Sequence, residues 1–211
     1  MSLTASDREV PRRTVPAKGL RRRVAGIVLR IGGFQPEGPP PELPRYVIVA
    51  APHTYFWDTV WMLAFAWWWG LRVRWLVKRS IAVGPLGWWL RSLGAVPVDR
   101  STPNGVVEGL AREFGAHDEM VIAIAPEATR ARGQWWRSGF YQIARHAGVP
   151  ICLSYLDYQR RRGGFGPCFP LSGDVKADLD AVRAFYQGVQ ARYPERFTPP
   201  RLREEEEQPA R

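Results

Sequence analysis

Three short runs of the chain are almost wholly apolar: 46–51 (YVIVAA), 120–125 (MVIAIA) and 150–155 (PICLSY). Runs of this length, bounded by proline, glycine and polar clusters, predict strands buried on both faces of a sheet. Residues 72–78 (RVRWLVK) alternate polar and apolar positions and predict a fourth strand; 95–98 predicts a short fifth. Between them the apolar period lengthens to that of helices, over 55–69, 106–117 and 139–146, with a short helical or irregular connection over 81–93 and an amphipathic helix over 178–193. Strands alternating with helices in this way predict an α/β domain, a mostly parallel central sheet flanked by helices on both faces.

Ahead of this domain, Leu20, Val24, Ile27, Val28 and Ile31 fall on one face of a predicted helix over 17–31, with arginines beside it. A basic amphipathic helix of this kind either lies in the plane of an anionic membrane surface or packs its stripe on the domain, and the pattern is the same for both. Residues 32–44 (GGFQPEGPPPELP) are too rich in proline and glycine for a helix or a central strand and read as a connector. The expected organisation is a flexible basic N-terminus (1–16), the helix and connector (17–44), the main domain (45–202) and a disordered acidic tail (203–211). The longest uncharged run, 59–71, has 13 residues, whereas about 20 are needed to span a bilayer. The arginines at 21–23 and 30 interrupt any signal-peptide core.

Charge sharpens this picture. The 211 residues carry 30 Lys+Arg against 20 Asp+Glu, a formal +10, and such an excess favours an anionic partner: nucleic acid, a phospholipid surface or a phosphorylated substrate. Ten tryptophans include the consecutive sets 67–69, 88–89 and 135–136, which cannot all face one core. Tryptophan with arginine suits a membrane interface, and core or core-edge packing is the alternative. Cys152 and Cys168 lack metal-ligand spacing and read as two inert buried thiols in a reducing compartment. Three scattered histidines suggest no metal site.

In open α/β sheets the residues just past the carboxyl ends of strands line the ligand crevice. His53 follows the first buried strand and Asp58 comes five residues later. With His53 on the turn and Asp58 one turn into the helix, the carboxylate can accept from one ring nitrogen and leave the other as a base. The strand over 120–125 runs into Pro126-Glu127-Ala128-Thr129-Arg130, and the one over 95–98 into Asp99-Arg100. Two arginines at parallel strand ends make a planar-donor clamp suited to a phosphate; pairing of Arg100 with Glu127 is the structural alternative. Lys78, at the end of the 72–78 strand, adds charge to the same place.

At these residues the sequence resembles the glycerolipid acyltransferases of the lysophosphatidate acyltransferase (PlsC-type) family. His53-Thr-Tyr-Phe-Trp-Asp58 is similar to the first motif of that family, His-x-x-x-x-Asp, and Gly94-Ala-Val-Pro-Val-Asp-Arg100 to the second. Pro126-Glu-Ala-Thr-Arg130 is similar to the third, Pro-Glu-Gly-Thr-Arg, and Val149-Pro150-Ile151 to the fourth. The resemblance implies transfer of a fatty acyl group from a thioester co-substrate, acyl-CoA or acyl carrier protein, with no bound cofactor. The implied acceptor is a lysophospholipid hydroxyl, typically of 1-acyl-glycerol-3-phosphate. It implies that His53 is the general base and Asp58 its partner, and that Arg100, Glu127, Thr129 and Arg130 bind the acceptor. Gly94 is then the turn residue of the second motif. Three positions depart from the pattern: Ala128 in place of glycine, Tyr55 where a small residue is usual, and Ala131 where serine is common. If residue 128 needs positive φ, alanine there costs roughly 1–2 kcal/mol.

An acceptor of this kind places the enzyme peripherally on the cytoplasmic face of the cell membrane, docked on an anionic surface through the 17–31 helix and the 67–69 region. No nucleic-acid partner is expected, because a basic binding module would leave the placement of His53, Asp58 and 126–130 without purpose. A hydrolase is the other rival, but the chain has no Gly-x-Ser-x-Gly nucleophile elbow.

Overall fold

The computed structural model describes residues 19–99 and 103–207. The expected basic N-terminus over 1–16, Arg100 and the end of the acidic tail lie outside the described residues. Within them the chain is α/β. Helix α1 (Leu20–Gly32) leads to a two-residue strand β1 (Gln35–Pro36), then β2 (Arg45–Ala50), α2 (Asp58–Trp69), β3 (Val73–Lys78), α3 (Gly84–Ser92) and β4 (Ala95–Val98). There follow α4 (Pro103–Ala116), β5 (Met120–Ile124), α5 (Gly139–Ala147), β6 (Ile151–Asp157), β7 (Arg162–Phe169), α6 (Val175–Tyr186) and the single turn α7 (Glu204–Glu207).

The seven strands form one sheet in the order β1-β7-β6-β2-β5-β3-β4. Strands β2 to β6 run parallel and β7 lies antiparallel to β6. The strands with continuous apolar sequences, β2, β5 and β6, are the centre of the sheet, as burial on both faces requires. One face carries the larger core, where Val47, Val49, Ile122, Ile124, Ile151 and Leu153 meet α4, α5 and α6. On the opposite face Ile48, Val73 and Ala123 pack under Ala66 of α2, and Val77 and Ala95 pack under Leu90 of α3. Trp75 belongs to both of these smaller clusters, so α2 and α3 share one layer. Helix α1 lies outside α2, with Leu29 against Ala64, Phe65 and Leu156.

Several sequence expectations change here. The glycine-rich β7 (RGGFGPCF) carries no apolar alternation and so was not expected as a strand. Its glycines answer to neighbours: a Cβ on Gly164 would lie 1.3 Å from the Glu37 carbonyl oxygen, so only glycine lets the β1 segment cross there. Pairing with β7 sets Cys152 opposite Cys168, and the two form a disulfide with Cα atoms 4.0 Å apart. They are therefore not two inert thiols, which also removes the reason for expecting a reducing compartment. Glu204–Glu207, expected as part of a disordered tail, is a helical turn in which Glu205 pairs with Arg183 at 2.8 Å. The helix expected over 178–193 begins earlier and ends at Tyr186.

Of the five stripe residues only Val28 packs on the domain, partly buried against the cluster around Leu29 and Phe65. Ala25 and Leu29 are the buried positions of α1, whereas Leu20, Val24, Ile27 and Ile31 face solvent, the last two 60% and 81% exposed. Conversely, the 67–69 tryptophans are covered. Trp69 is buried, and Arg21 and Arg22 of α1 sit over the rings of Trp67 and Trp68 at 5.7 and 4.5 Å. Among the described residues no helix is long and apolar enough to cross a membrane.

Candidate active site

Strand β2 ends at Ala50, and the chain turns through Pro52 and His53 before α2 begins at Asp58. Asp58 thus occupies the first turn of the helix, where the helix dipole favours a carboxylate. It is 3% exposed and held from two sides. The Tyr55 backbone N–H donates to Oδ2 at 2.8 Å, and the Tyr158 hydroxyl donates to Oδ1 at 2.5 Å. The His53 ring turns Nδ1 toward Asp58 Oδ2 at 3.6 Å, slightly beyond hydrogen-bond length, and leaves Nε2 as the other ring nitrogen.

Burial dominates the protonation of both groups. It drives His53 down from 6.5 to about 4, with the Arg130 charge pushing the same way, so the imidazole is neutral at pH 7 and able to accept a proton. Burial also raises Asp58, while hydrogen bonds from Tyr158, Tyr55 and Thr54 and the charge of Arg130 oppose that rise. The guanidinium of Arg130 therefore lies close enough to act on both members of the pair. It sits 5.6 Å from the centre of the Phe56 ring at the exposed rim of the same loop.

Arg100 lies outside the described residues, and among them Glu127 forms no ion pair with an arginine. Its Oε1 accepts the His53 backbone N–H at 2.6 Å and its Oε2 accepts the Thr198 N–H at 3.3 Å. Burial, the largest influence, lifts its carboxyl to about 7. The residue ties the first loop to the third and so fixes where the His53 backbone sits. Ala128 next to it has φ of 55°, the left-handed conformation for which glycine is the natural choice. Thr129 is exposed, and its Oγ1 accepts the Ala131 N–H at 3.2 Å within the turn.

A cavity of about 930 Å³ opens at these strand ends, bordered by His53, Asp58, Glu127, Thr129, Arg130 and Lys78. Much of the rest of its lining is apolar, with Met62, Phe65, Trp75 and Phe165 among its residues. Basic and hydrogen-bonding groups beside apolar ones in one cavity fit a ligand with an anionic head and a hydrocarbon body. Of the residues expected from the sequence, Gly94 does not border the cavity. It has φ of 92° at the turn into β4, and a Cβ there would lie 2.3 Å from the Val73 carbonyl oxygen, so its part is to let that turn close. Tyr158 was missed, since a tyrosine in the turn after β6 carries no local signal; only the fold brings it to Asp58.

The family model described as Acyltransferase matches residues 40–153, more than half of the chain and the whole stretch from His53 to Arg130. No curated protein sequence matches significantly. Among solved structures, the chain is similar to the crystal structure of the 1-acyl-sn-glycerophosphate (LPA) acyltransferase PlsC from Thermotoga maritima. The identity is 12% and the TM-score 0.51, over 82% of this chain and 80% of that one, a likeness of fold. With the dyad, the loop from Glu127 to Arg130 and the cavity all falling in or beside the matched stretch, the chain belongs to the Acyltransferase family.

Proposed function

We propose that the protein moves a fatty acyl group from acyl-CoA or acyl carrier protein to the hydroxyl of a lysophospholipid acceptor, with 1-acyl-glycerol-3-phosphate the best fit. The observation that carries this reading is the meeting of a neutral imidazole, a buried carboxylate and an arginine in the lining of one largely apolar cavity. Arg130, with Lys78 at the rim and Arg100 from the second motif, binds the acceptor phosphate. His53 Nε2 takes the proton of the acceptor hydroxyl as its oxygen attacks the thioester carbonyl. The tetrahedral intermediate collapses, the C–S bond breaks, and the departing thiolate takes the proton from the imidazolium. Asp58 orients the ring and stabilises its charged form. General-base assistance of this sort contributes about 10²–10⁴-fold, with positioning of the two substrates supplying much of the remainder. No acyl-enzyme is formed.

The acceptor reaches the site from a membrane surface, and the exposed apolar stripe of α1 with Arg21, Arg23 and Arg30 is suited to lie on an anionic leaflet. The reading places the enzyme peripherally on a membrane surface. Its test is a labelled acyl thioester offered with a panel of lysolipids and detection of product by mass. Acyl transfer to a phosphate-bearing lysolipid is expected; thioester loss that is independent of any acceptor would mean hydrolysis instead.

A further inference from the structure

Helix α3 and the loop before it present a second apolar surface, separate from α1 and from the dyad. Gly87 and Leu90 form its inward side. A Cβ on Gly87 would lie 2.3 Å from the Ala82 carbonyl carbon, Leu90 packs on the cluster of Val77, Ala82 and Ala95, and Arg91 Nη2 donates to the Ala82 carbonyl at 3.0 Å. At 100° per residue, those inward positions turn Pro85, Trp88 and Trp89 to the opposite side. The structure bears this out: Trp88 is 72% and Trp89 54% exposed, and Ile81, Val83 and Leu86 are exposed beside them. Two large aromatic and three aliphatic side chains in water on nine consecutive residues are more than scattered surface apolarity.

The segments that lead into and out of this surface carry charge of one sign in sequence. Between 70 and 98 the sequence carries Arg72, Arg74, Lys78, Arg79 and Arg91 and no acidic residue. Helix α1 adds Arg21, Arg22, Arg23 and Arg30, again without an acid, and the one acid of α2 is the buried Asp58. Since α3 shares a layer with α2, and α1 lies outside α2, the cationic and apolar positions of α1 and α3 collect on one side of the sheet, whereas Arg74 pairs with Glu113 of α4 at 3.0 Å on the other. Lys78 and Ile81, which lead into α3, also border the cavity.

We infer that α3 with residues 81–83 is a membrane-inserted element, its tryptophan pair seated at headgroup depth of an anionic leaflet and its aliphatic residues below. Tryptophan is the side chain best suited to that depth, and the flanking Lys78, Arg79 and Arg91 match anionic headgroups. The insertion brings the cavity mouth to the leaflet beside Lys78, so that a lipid acceptor passes from bilayer to site without crossing water. The inference rests on the membrane-borne acceptor proposed above, yet its test is read without turnover.

The experiment is flotation of the full-length protein with vesicles of phosphatidylcholine and phosphatidylglycerol, comparing wild type with Trp88→Ser/Trp89→Ser and Trp88→Tyr/Trp89→Tyr. Loss of two interfacial rings is expected to weaken binding at least about tenfold, while the tyrosine variant retains most of it. Both side chains are exposed, so the thermal transition is expected to stay in place. Turnover of a short-chain, water-soluble acceptor is also expected to be unchanged in both variants. Vesicle binding by the serine variant equal to wild type overturns the inference, as does a defect confined to binding of an acidic acyl carrier protein. Absence of acyl transfer in every variant with the vesicle result as expected would instead count against the acyl-transfer reading alone.

Discussion

Replacing Tyr158 by phenylalanine removes one oxygen and keeps the ring, which packs edge-on against Phe34 at 5.2 Å. The lost hydroxyl is the 2.5 Å donor to Asp58 Oδ1, leaving that carboxylate oxygen buried without its partner while Oδ2 keeps the Tyr55 N–H. Hydrogen bonds to a charged group contribute about 1.5–3 kcal/mol. If that energy is expressed in the orientation of Asp58 toward His53, kcat/KM falls roughly ten- to a hundredfold. The Tyr158 hydrogen bond also opposes the burial-driven rise of the Asp58 carboxyl. Without it the group titrates higher, and because the ionised form is the one that stabilises the imidazolium, the acid limb of the kcat/KM profile moves to higher pH. The assay is acyl transfer across pH 5 to 9 for both proteins, with the thermal transition as a control for folding. An unchanged profile and an unchanged kcat/KM in a folded variant would show that Tyr158 does not position the dyad.

Three further outcomes follow from the same geometry. Ala128→Gly removes the strain of an alanine at φ 55°, worth roughly 1–2 kcal/mol, less the roughly 0.4–1 kcal/mol that glycine adds to unfolded-chain entropy; the melting temperature should rise by a few degrees at most, and a fall would refute the strain. Arg130→Ala should raise KM for a phosphate-bearing acceptor more than for a neutral one, and should raise the pKa of His53, which the guanidinium lowers; equal effects on both acceptors would remove Arg130 from phosphate binding. For Glu127 the sign is worked from its raised carboxyl. The folded chain holds that proton up to about 7 and the unfolded chain only to about 4.5, so this group makes stability fall as pH rises through that window. His53, lowered to about 4 from 6.5, makes stability rise with pH between those values. The two oppose each other from about 4.5 to 6.5, and Glu127→Gln should leave a steeper rise there than wild type when melting temperature is followed against pH; parallel curves would contradict the assignment.

The centre of the fold was legible because β2, β5 and β6 are buried on both faces and are therefore apolar throughout, and the place of the candidate site was legible because strand ends in a parallel sheet point to one crevice. His53, Asp58, Glu127, Thr129 and Arg130 all meet there. What escaped was information held between segments. The glycines of β7 record the approach of Phe65 and Glu37, not a strand period, and without β7 the Cys152–Cys168 pairing had no register. Tyr158 reaches Asp58 from a hundred residues away. The tryptophans show the same limit: 67–69 and 88–89 look alike in sequence, but α1 covers the first set with arginines whereas nothing among the described residues covers the second.

The most direct measurement is acyl transfer by purified His53→Ala beside wild type, with a labelled acyl thioester, 1-acyl-glycerol-3-phosphate and mass detection of the diacyl product. Wild type should form product only when acceptor is present, and the folded variant should form none above the uncatalysed background. Product formation by the variant at the wild-type rate would contradict general-base catalysis by His53.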